Sequence, residues 1–138
     1  MILVDTSVWI DLLGNTPKHR VSREGLLELA TCSPVIQEVL QGVKDDLAHQ
    51  KLKEAMLALP RFGDPLSLDL FLEAHEIYRS ARRRGITVRS SFDCLIAAIA
   101  IQHSLEVWHQ DRDFEAIAKF TNLKTLTQNS FPQSKSKN

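Results

Sequence analysis

The chain opens with a short run of apolar residues that ends on an acid. Ile2, Leu3 and Val4 follow one another without polar alternation, which is typical of a strand buried on both faces of a parallel sheet. Asp5 comes next, at the expected carboxyl end of that strand. Ligands bind at this end of the strands in open α/β sheets, so the position predicts a functional site. Helix N-capping is the alternative explanation for Asp5 taken alone, because acids are favoured at that position.

Most of the remaining apolar residues recur at helical spacing. The pattern predicts helices over residues 8–13, 23–30, 34–43, 45–59, 66–84, 92–102 and 113–120. Short apolar segments predict further strands over residues 31–33, 105–109 and 123–126. We therefore expect a single α/β domain over residues 1–130. Residues 131–138 are expected to be a disordered tail, since no apolar anchor follows Pro132.

Length and composition fit one globular domain. The chain has 138 residues, of which 43% are hydrophobic and 25% are charged, as in ordinary soluble proteins. No apolar stretch approaches the roughly 20 residues that a membrane span requires, and no signal peptide is recognisable. We therefore expect a cytoplasmic protein with no membrane partner. Cys32 and Cys94 lie in apolar surroundings and are expected to be buried, reduced core residues.

The formal net charge is zero, but basic residues are clustered. The two clusters consist of Lys18, His19, Arg20 and Arg23, and of Arg79, Arg82, Arg83, Arg84 and Arg89. Such patches are suited to a polyanion. The alternative for residues 79–84 is that they cover the solvated end of a helix, where cations also complement the helix dipole.

Five acids are candidates for one cluster. They are Asp5 and Asp111 after predicted strands, Glu38 and Asp93 on predicted helices, and Asp113 at a helix start. Asp93 is anomalous, because its helix is apolar almost all the way round. Glu38 lies at the border of an apolar stripe and can face either the site or water. Two charges about 4 Å apart repel by roughly 4 kcal/mol at an effective dielectric of 20, so convergence of these acids predicts a divalent cation.

The donor types indicate which cation is expected. Carboxylates and water suit Mg²⁺ or Mn²⁺, whereas the chain shows no histidine or cysteine spacing typical of a zinc site. Such a cation activates water and stabilises charge on a phosphate during in-line displacement. The sequence therefore predicts a carboxylate-bound divalent cation that is suited to this chemistry.

Four segments, in this order, resemble the PIN-domain nucleases and, among them, the VapC toxins of toxin–antitoxin pairs. Residues 4–11, Val-Asp-Thr-Ser-Val-Trp-Ile-Asp, are similar to the opening strand and first acid of that family. Residues 33–39 are similar to the segment of its second acid, residues 91–98 to that of the third, and residues 109–114 to that of the fourth. The likeness covers nearly the whole chain.

The resemblance implies a three-layer α/β domain with a central parallel sheet of four to five strands flanked by helices. It implies an Mg²⁺- or Mn²⁺-dependent endoribonuclease that forms a homodimer and is neutralised by a small VapB-like antitoxin. Position by position, it assigns Asp5, Glu38, Asp93 and Asp111 to holding or orienting the metal. Asp113 either assists these ligands or lies behind them, and the resemblance leaves open whether Asp111 or Asp113 is the fourth ligand.

Further residues have a functional and a structural explanation side by side. Thr6 and Ser7 offer hydroxyls to the metal or its water, or cap the first helix. Arg89 and Arg112 are candidates for RNA phosphates, and His109 for the edge of the substrate pocket. Trp108 stacks on a base or packs in the core, and Asp11, although it matches the opening motif, is interpreted as a surface helix residue.

Two other functions are compatible with acids at strand ends. An aspartyl-phosphate phosphatase or receiver domain is disfavoured, because Ser7 stands where a phosphatase needs a second acid and no receiver-type acidic pair follows the first strand. A non-catalytic PIN-like scaffold that binds RNA or protein would be favoured by a lost acid, and none is lost. The apolar residues over 66–72 either pack in the core or leave one helix face for a dimer or an antitoxin.

Overall fold

The computed structural model describes residues 1–132. Its strands are β1 (Ile2–Val4), β2 (Arg20–Val21), β3 (Leu29–Ala30), β4 (Glu106–Trp108), β5 (Lys124–Leu126) and β6 (Ser130–Phe131). The central sheet has the order β3-β1-β4-β5, and every pair in it is parallel. The predicted central parallel sheet of four to five strands is thereby confirmed, and it has four. In this register Ile2 lies between Leu29 and Glu106, so β1 is an inner strand that pairs with β3 and β4.

The helices are α1 (Thr6–Leu12), α2 (Arg23–Leu26), α3 (Ser33–Gln41), α4 (Asp46–Ala58), α5 (Leu68–Arg83), α6 (Ser91–Gln102) and α7 (Arg112–Ala118). Each predicted helix has a counterpart among them. The predicted helix over 23–30 is too long, because Leu29 and Ala30 leave it to pair with β1. The strand expected at 31–33 accordingly lies two residues earlier. None of the helices in this part of the chain is long and apolar enough to cross a membrane.

Alternate residues of β1 face two different layers. Leu3 packs with Val107 against the layer formed by α3, α5, α6 and α7. Ile2 and Val4 point to the opposite side, where they pack with Val8 of α1. The sheet therefore lies between two covering layers, as the three-layer prediction requires, and this explains why the β1 segment is apolar without alternation.

Trp108 fills the second layer. Its side chain is fully buried, its indole N–H donates to the Gln128 carbonyl at 2.8 Å, and its ring contacts Phe131 and His19. The core-packing interpretation of Trp108 is therefore correct, and base stacking is excluded for a ring without an exposed face.

Strands β2 and β6 form a small parallel sheet that the sequence pattern does not predict. The sheet closes over Gly25, where a Cβ atom would lie 2.7 Å from the Phe131 carbonyl oxygen and 2.9 Å from Pro132. The sequence assigns Phe131 to the tail, whereas the structure pairs it with Val21. The remainder of the predicted tail, residues 133–138, lies outside the described residues.

Candidate metal centre

Three carboxylates converge where α6 and α7 begin. One oxygen from each of Asp93, Asp111 and Asp113 lies within 4.8 Å of the others. Asp93 occupies the first turn of α6, while Asp111 and Asp113 flank the start of α7, directly after β4. The fold thus brings together the two acids that the sequence leaves as alternatives for one position.

Asp93 is the most perturbed member of this group. Its side chain is 5% exposed, and its Oδ2 atom is buried without a hydrogen-bond partner among the described residues. Burial, the neighbouring Asp111 carboxyl and the charges of Asp5 and Asp113 raise the pKa of Asp93 to about 9. A lone buried carboxylate oxygen facing other acids is a costly arrangement that a cation would relieve.

Asp111 and Asp113 also hold backbone in place. Asp111 caps α7, since its Oδ1 accepts the Asp113 N–H at 3.0 Å. Asp113 accepts the backbone N–H groups of Arg89 at 2.9 Å and Ser90 at 3.3 Å through Oδ2. The loop before α6 is therefore fastened to the start of α7, which fixes the position of Asp93 relative to the other two acids.

Asp5 combines the two roles that the sequence offers as alternatives. It caps α1, with its Oδ2 accepting the Ser7 N–H at 3.3 Å and the Ser7 hydroxyl at 2.6 Å. It is also buried, and burial, with a smaller contribution from the charge of Glu38, raises the pKa of Asp5 despite the Ser7 hydrogen bonds. Capping and membership of the acidic cluster are thus compatible, because a carboxylate has several acceptor sites.

Glu38 faces the cluster. The Thr6 hydroxyl donates to its Oε1 at 3.0 Å, which joins α3 to the start of α1. The inward orientation left open by the sequence is therefore the one observed. Asp5 and Glu38 lie outside the closest group of three, but the charge of Asp5 acts on Asp93 and that of Glu38 on Asp5, so the five acids form one continuous cluster.

Gln110 is a supporting residue that the sequence analysis misses. Its backbone N–H donates to the Ser7 hydroxyl at 3.4 Å, and its side-chain amide donates to the Ser7 carbonyl at 3.1 Å. Ser7 in turn donates to Asp5, so the tips of β1 and β4 are connected through one hydroxyl. The only sequence signal for this role is that Gln110 directly precedes Asp111.

The candidates for substrate contact have different outcomes. His109 is 1% exposed, accepts the Asp111 N–H through Nδ1 and pairs with Glu115 through Nε2, so its ring has no free nitrogen for RNA. Burial lowers the pKa of His109. We do not retain it as a substrate residue. Arg89 and Arg112 are exposed beside the cluster and remain candidates.

Asp11 is the clearest correction. Its carboxylate accepts the backbone N–H groups of Lys18 and His19 and lies 2.6 Å from the Nδ1 atom of His19. These hydrogen bonds lower the pKa of Asp11. Asp11 therefore anchors the loop between α1 and β2 and positions the buried His19 ring against Trp108. The surface interpretation is wrong because the partners lie in a loop that no local pattern reveals.

The donor set fits a hard divalent cation. Asp93, Asp111 and Asp113 present three carboxylate oxygens in close proximity, and Asp93 Oδ2 is buried with no hydrogen-bond partner within residues 1–132. Both cysteines are buried thiols, and burial raises the pKa of Cys32 to about 12 and that of Cys94 to about 11, so neither offers a thiolate. Oxygen donors without thiolate favour Mg²⁺ or Mn²⁺ over zinc.

Residues 2–120 match the PIN domain family, and the chain belongs to that family. It is 42% identical over 133 residues to the VapC ribonuclease Mb1587 of Mycobacterium bovis, a match that covers 92% of this chain and 98% of that protein. Ribonuclease VapC11 of Mycobacterium tuberculosis matches with the same identity and coverage. The resemblance stated from the four acidic segments is thereby confirmed, and the aspartyl-phosphate alternative is wrong.

Solved structures share the fold at low sequence identity. FitAcB from Neisseria gonorrhoeae superposes with a TM-score of 0.68 at 21% identity, covering 92% of this chain and 97% of that one. VapBC2 from Rickettsia felis, solved with a DNA fragment from its promoter, gives a TM-score of 0.67 at 18% identity, covering 91% and 98%. These likenesses confirm the three-layer α/β architecture.

Proposed function

We propose that this chain is a metal-dependent endoribonuclease that acts as the toxin of a toxin–antitoxin pair. One observation carries the enzymatic part: Asp93 is buried with an unpartnered carboxylate oxygen beside Asp111 and Asp113. A structural helix position does not require such a group, whereas a cation site does. The identity to proteins named VapC ribonucleases supports RNA as the substrate. Action on RNA, together with two buried free thiols, is consistent with the cytoplasm.

The residues divide into those that hold the cation and those that support them. Asp93, Asp111 and Asp113 would hold Mg²⁺ or Mn²⁺, and Asp5 and Glu38 are the other two members of the acidic cluster. A bound divalent cation supplies activation of water and stabilisation of charge on the scissile phosphate. Thr6 orients Glu38 and Ser7 orients Asp5 through the hydrogen bonds described above.

The partners follow from the relatives and neighbours. Several similar structures are complexes named VapBC, among them those from Rickettsia felis and Mycobacterium tuberculosis. We propose that this chain likewise binds a VapB-like antitoxin and forms a homodimer. The exposed apolar side chains of α5, Leu68, Phe71 and Leu72, support such contacts.

RNA cleavage in the presence of Mg²⁺ or Mn²⁺ tests the enzymatic proposal. We expect wild type to cleave and Asp5→Asn and Asp93→Asn to lose activity by at least about a hundredfold, beyond what loss of an outer supporting group costs. Asp46→Asn, an exposed acid at the start of α4, is the matched control and should retain activity.

Two results would contradict the proposal. Full activity in excess EDTA would exclude a metal-dependent enzyme. RNA binding without cleavage under any divalent cation would favour the alternative of a non-catalytic PIN-like module. Retention of all five acids argues against that alternative.

A further inference from the structure

The acidic cluster opens onto a surface lined by arginines. Asp111 and Asp113 share a shallow cleft with Thr87, Arg89 and Arg112. The backbone of Arg89 is fixed there by its hydrogen bond to Asp113. Two exposed guanidinium groups therefore stand at the edge of the site proposed to cut RNA.

The surface continues from Arg89 into a groove of about 580 Å³ between α5 and the start of α6. Aromatic rings form much of its wall: Phe71, His75, Tyr78 and Phe92. Phe71 and Tyr78 are 48% and 41% exposed, although rings of this size are ordinarily well buried.

Tyr78 connects this groove to a second depression. That depression is lined by Tyr78, Arg82 and the loop from Gly85 to Val88, and it adjoins the surface of Arg79 and Arg83. The Arg82 guanidinium lies 6.0 Å from the centre of the Tyr78 ring. A continuous path therefore runs from the acids, past Arg89 and Tyr78, to the carboxyl end of α5.

The cations along this path have no ion-pair partner among the residues that the structure describes. We define the arginine track as Arg79, Arg82, Arg83, Arg89 and Arg112. Within residues 1–132, none of its members has a carboxylate within ion-pair distance. Because the net charge of the chain is zero, this local excess of positive charge is a property of the surface and not of the composition.

The helix dipole explains only part of the track. Arg82 and Arg83 occupy the last turn of α5, where cations are favoured. Arg89 lies in the loop before α6, and Arg112 lies in the first turn of α7, where a cation opposes the dipole. A shared ligand accounts for all five positions, and dipole complementarity does not.

We propose that the arginine track binds the single strand of RNA that flanks the scissile phosphate, with phosphates on the arginines and a base stacked on Tyr78. This inference rests on the proposed ribonuclease function. Spaced cations beside exposed aromatic rings are the combination that binds single strands, since phosphates need charge and bases need a flat apolar face. A peptide of the antitoxin would use the apolar wall of the groove but would not need the outer arginines.

Binding of RNA, measured separately from cleavage, tests the track. The probe is a fluorescently labelled, unstructured RNA of about 20 nucleotides, longer than a single binding module covers, titrated in EDTA so that it is not cut. We expect the triple variant Arg79→Gln, Arg82→Gln, Arg83→Gln to bind about tenfold more weakly. The slope of log Kd against log salt should fall by about 2, for three lost phosphate contacts on a single strand.

A matched control removes the same charge elsewhere. Lys44, Lys51 and Lys53 are exposed at and before α4, away from the track, and their replacement by Gln should leave both affinity and slope unchanged. Thermal melting of each variant checks folding, because Arg82 and Arg83 also complement the α5 dipole. Unchanged RNA affinity in a folded triple variant overturns the proposal.

Tyr78 separates stacking from charge. Tyr78→Phe keeps the ring and should bind RNA like wild type, while Tyr78→Ala should lose about tenfold in affinity, within the range measured for base stacking. Equal RNA affinities of Tyr78→Ala and Tyr78→Phe would show that no base stacks on Tyr78.

The same experiment distinguishes the two proposals. If wild type binds RNA through the track but does not cleave it with Mg²⁺ or Mn²⁺, the ribonuclease proposal fails and the track stands. If wild type cleaves RNA and the triple variant binds and cleaves RNA equally well, the proposal for the arginine track is wrong and the ribonuclease proposal stands. Loss of antitoxin binding without loss of RNA affinity in the triple variant would assign the surface to the protein partner and also overturn the track.

Discussion

Most acids of the cluster have a structural role in addition to their proposed chemistry. Asp5 and Asp111 cap helices, and Asp113 fastens the loop before α6. Asp93 is the exception, because its buried Oδ2 atom makes no hydrogen bond to any other of the described residues. A substitution at Asp93 therefore separates function from stability better than one at its neighbours.

The pH dependence of stability should report on Asp93. The pKa of Asp93 is about 9 in the fold, against 3.8 for an ordinary aspartate. Between these values the folded protein keeps a proton that the unfolded chain has released, so metal-free stability falls as pH rises. Melting in EDTA between about pH 5 and about pH 8 should show a drop of several degrees in wild type and a smaller drop in Asp93→Asn. Parallel curves would contradict the burial of an acid at this site.

Asp11 gives a second prediction for a single residue. Asp11→Ala removes the acceptor of the Lys18 and His19 backbone N–H groups and leaves the buried His19 ring without its partner. We expect the melting temperature to fall by several degrees, with Asp46→Ala as the exposed control. RNA cleavage per folded molecule should stay near the wild-type value, because Asp11 belongs to no part of the acidic cluster. A variant that melts like wild type would show that the loop does not need this anchor.

At the level of elements, the long helices and the inner strand follow from the sequence because their signals are local. The consecutive apolar residues of β1 indicate a strand that is covered on both faces, and all three are buried. Helix α6 is apolar all round, which indicates a helix that is surrounded by other elements. Strands β2 and β6 have two residues each, which is too short for any periodicity. Their pairing depends on segments more than a hundred residues apart, and only the folded chain reveals it.

The residues of the site likewise divide into those with a local sequence signal and those without one. Asp5, Glu38, Asp93 and Asp111 are recognisable because acids are unexpected where the neighbouring residues are apolar. The roles of Gln110 and Asp11 are not recognisable, because the partner of Gln110 is distant in the sequence and those of Asp11 lie in an irregular loop. His109 illustrates the opposite error, since a histidine beside an acid motif looks accessible until Glu115 and Phe114 cover it.

Gly25 tests whether the small sheet matters. A Cβ atom there would clash with the Phe131 carbonyl and Pro132, so Gly25→Ala must displace β6. We expect a cost of about 1–3 kcal/mol, typical of overpacking, and faster hydrogen exchange in residues 20–21 and 130–131. Gly42→Ala, where a Cβ atom has its nearest contact at 3.6 Å, should be neutral. Unchanged hydrogen exchange in β2 and β6 would show that the Cβ atom is accommodated without displacing β6.

The whole molecule should be stabilised by its cation. On the proposed function, Mg²⁺ or Mn²⁺ binds the acidic cluster of the folded chain and not the unfolded one, so we expect it to raise the melting temperature by about 5–10 °C at a hundred times its Kd. Asp93→Asn should abolish most of this increase, whereas the triple variant of the arginine track should keep it. Equal increases in wild type and Asp93→Asn would place the bound cation outside this cluster.

The pairing of β1 with β4 also has a consequence for the order in which the protein is made. Asp5 is synthesised well before β4, so β1 gains one of its two partners only when Glu106–Trp108 has been added, and Asp111 follows. Contacts of such long sequence separation form late and slowly. A growing chain on the ribosome therefore carries no complete set of acids until Asp113 has been added, and the messenger being translated is not exposed to an assembled nuclease until the sheet closes.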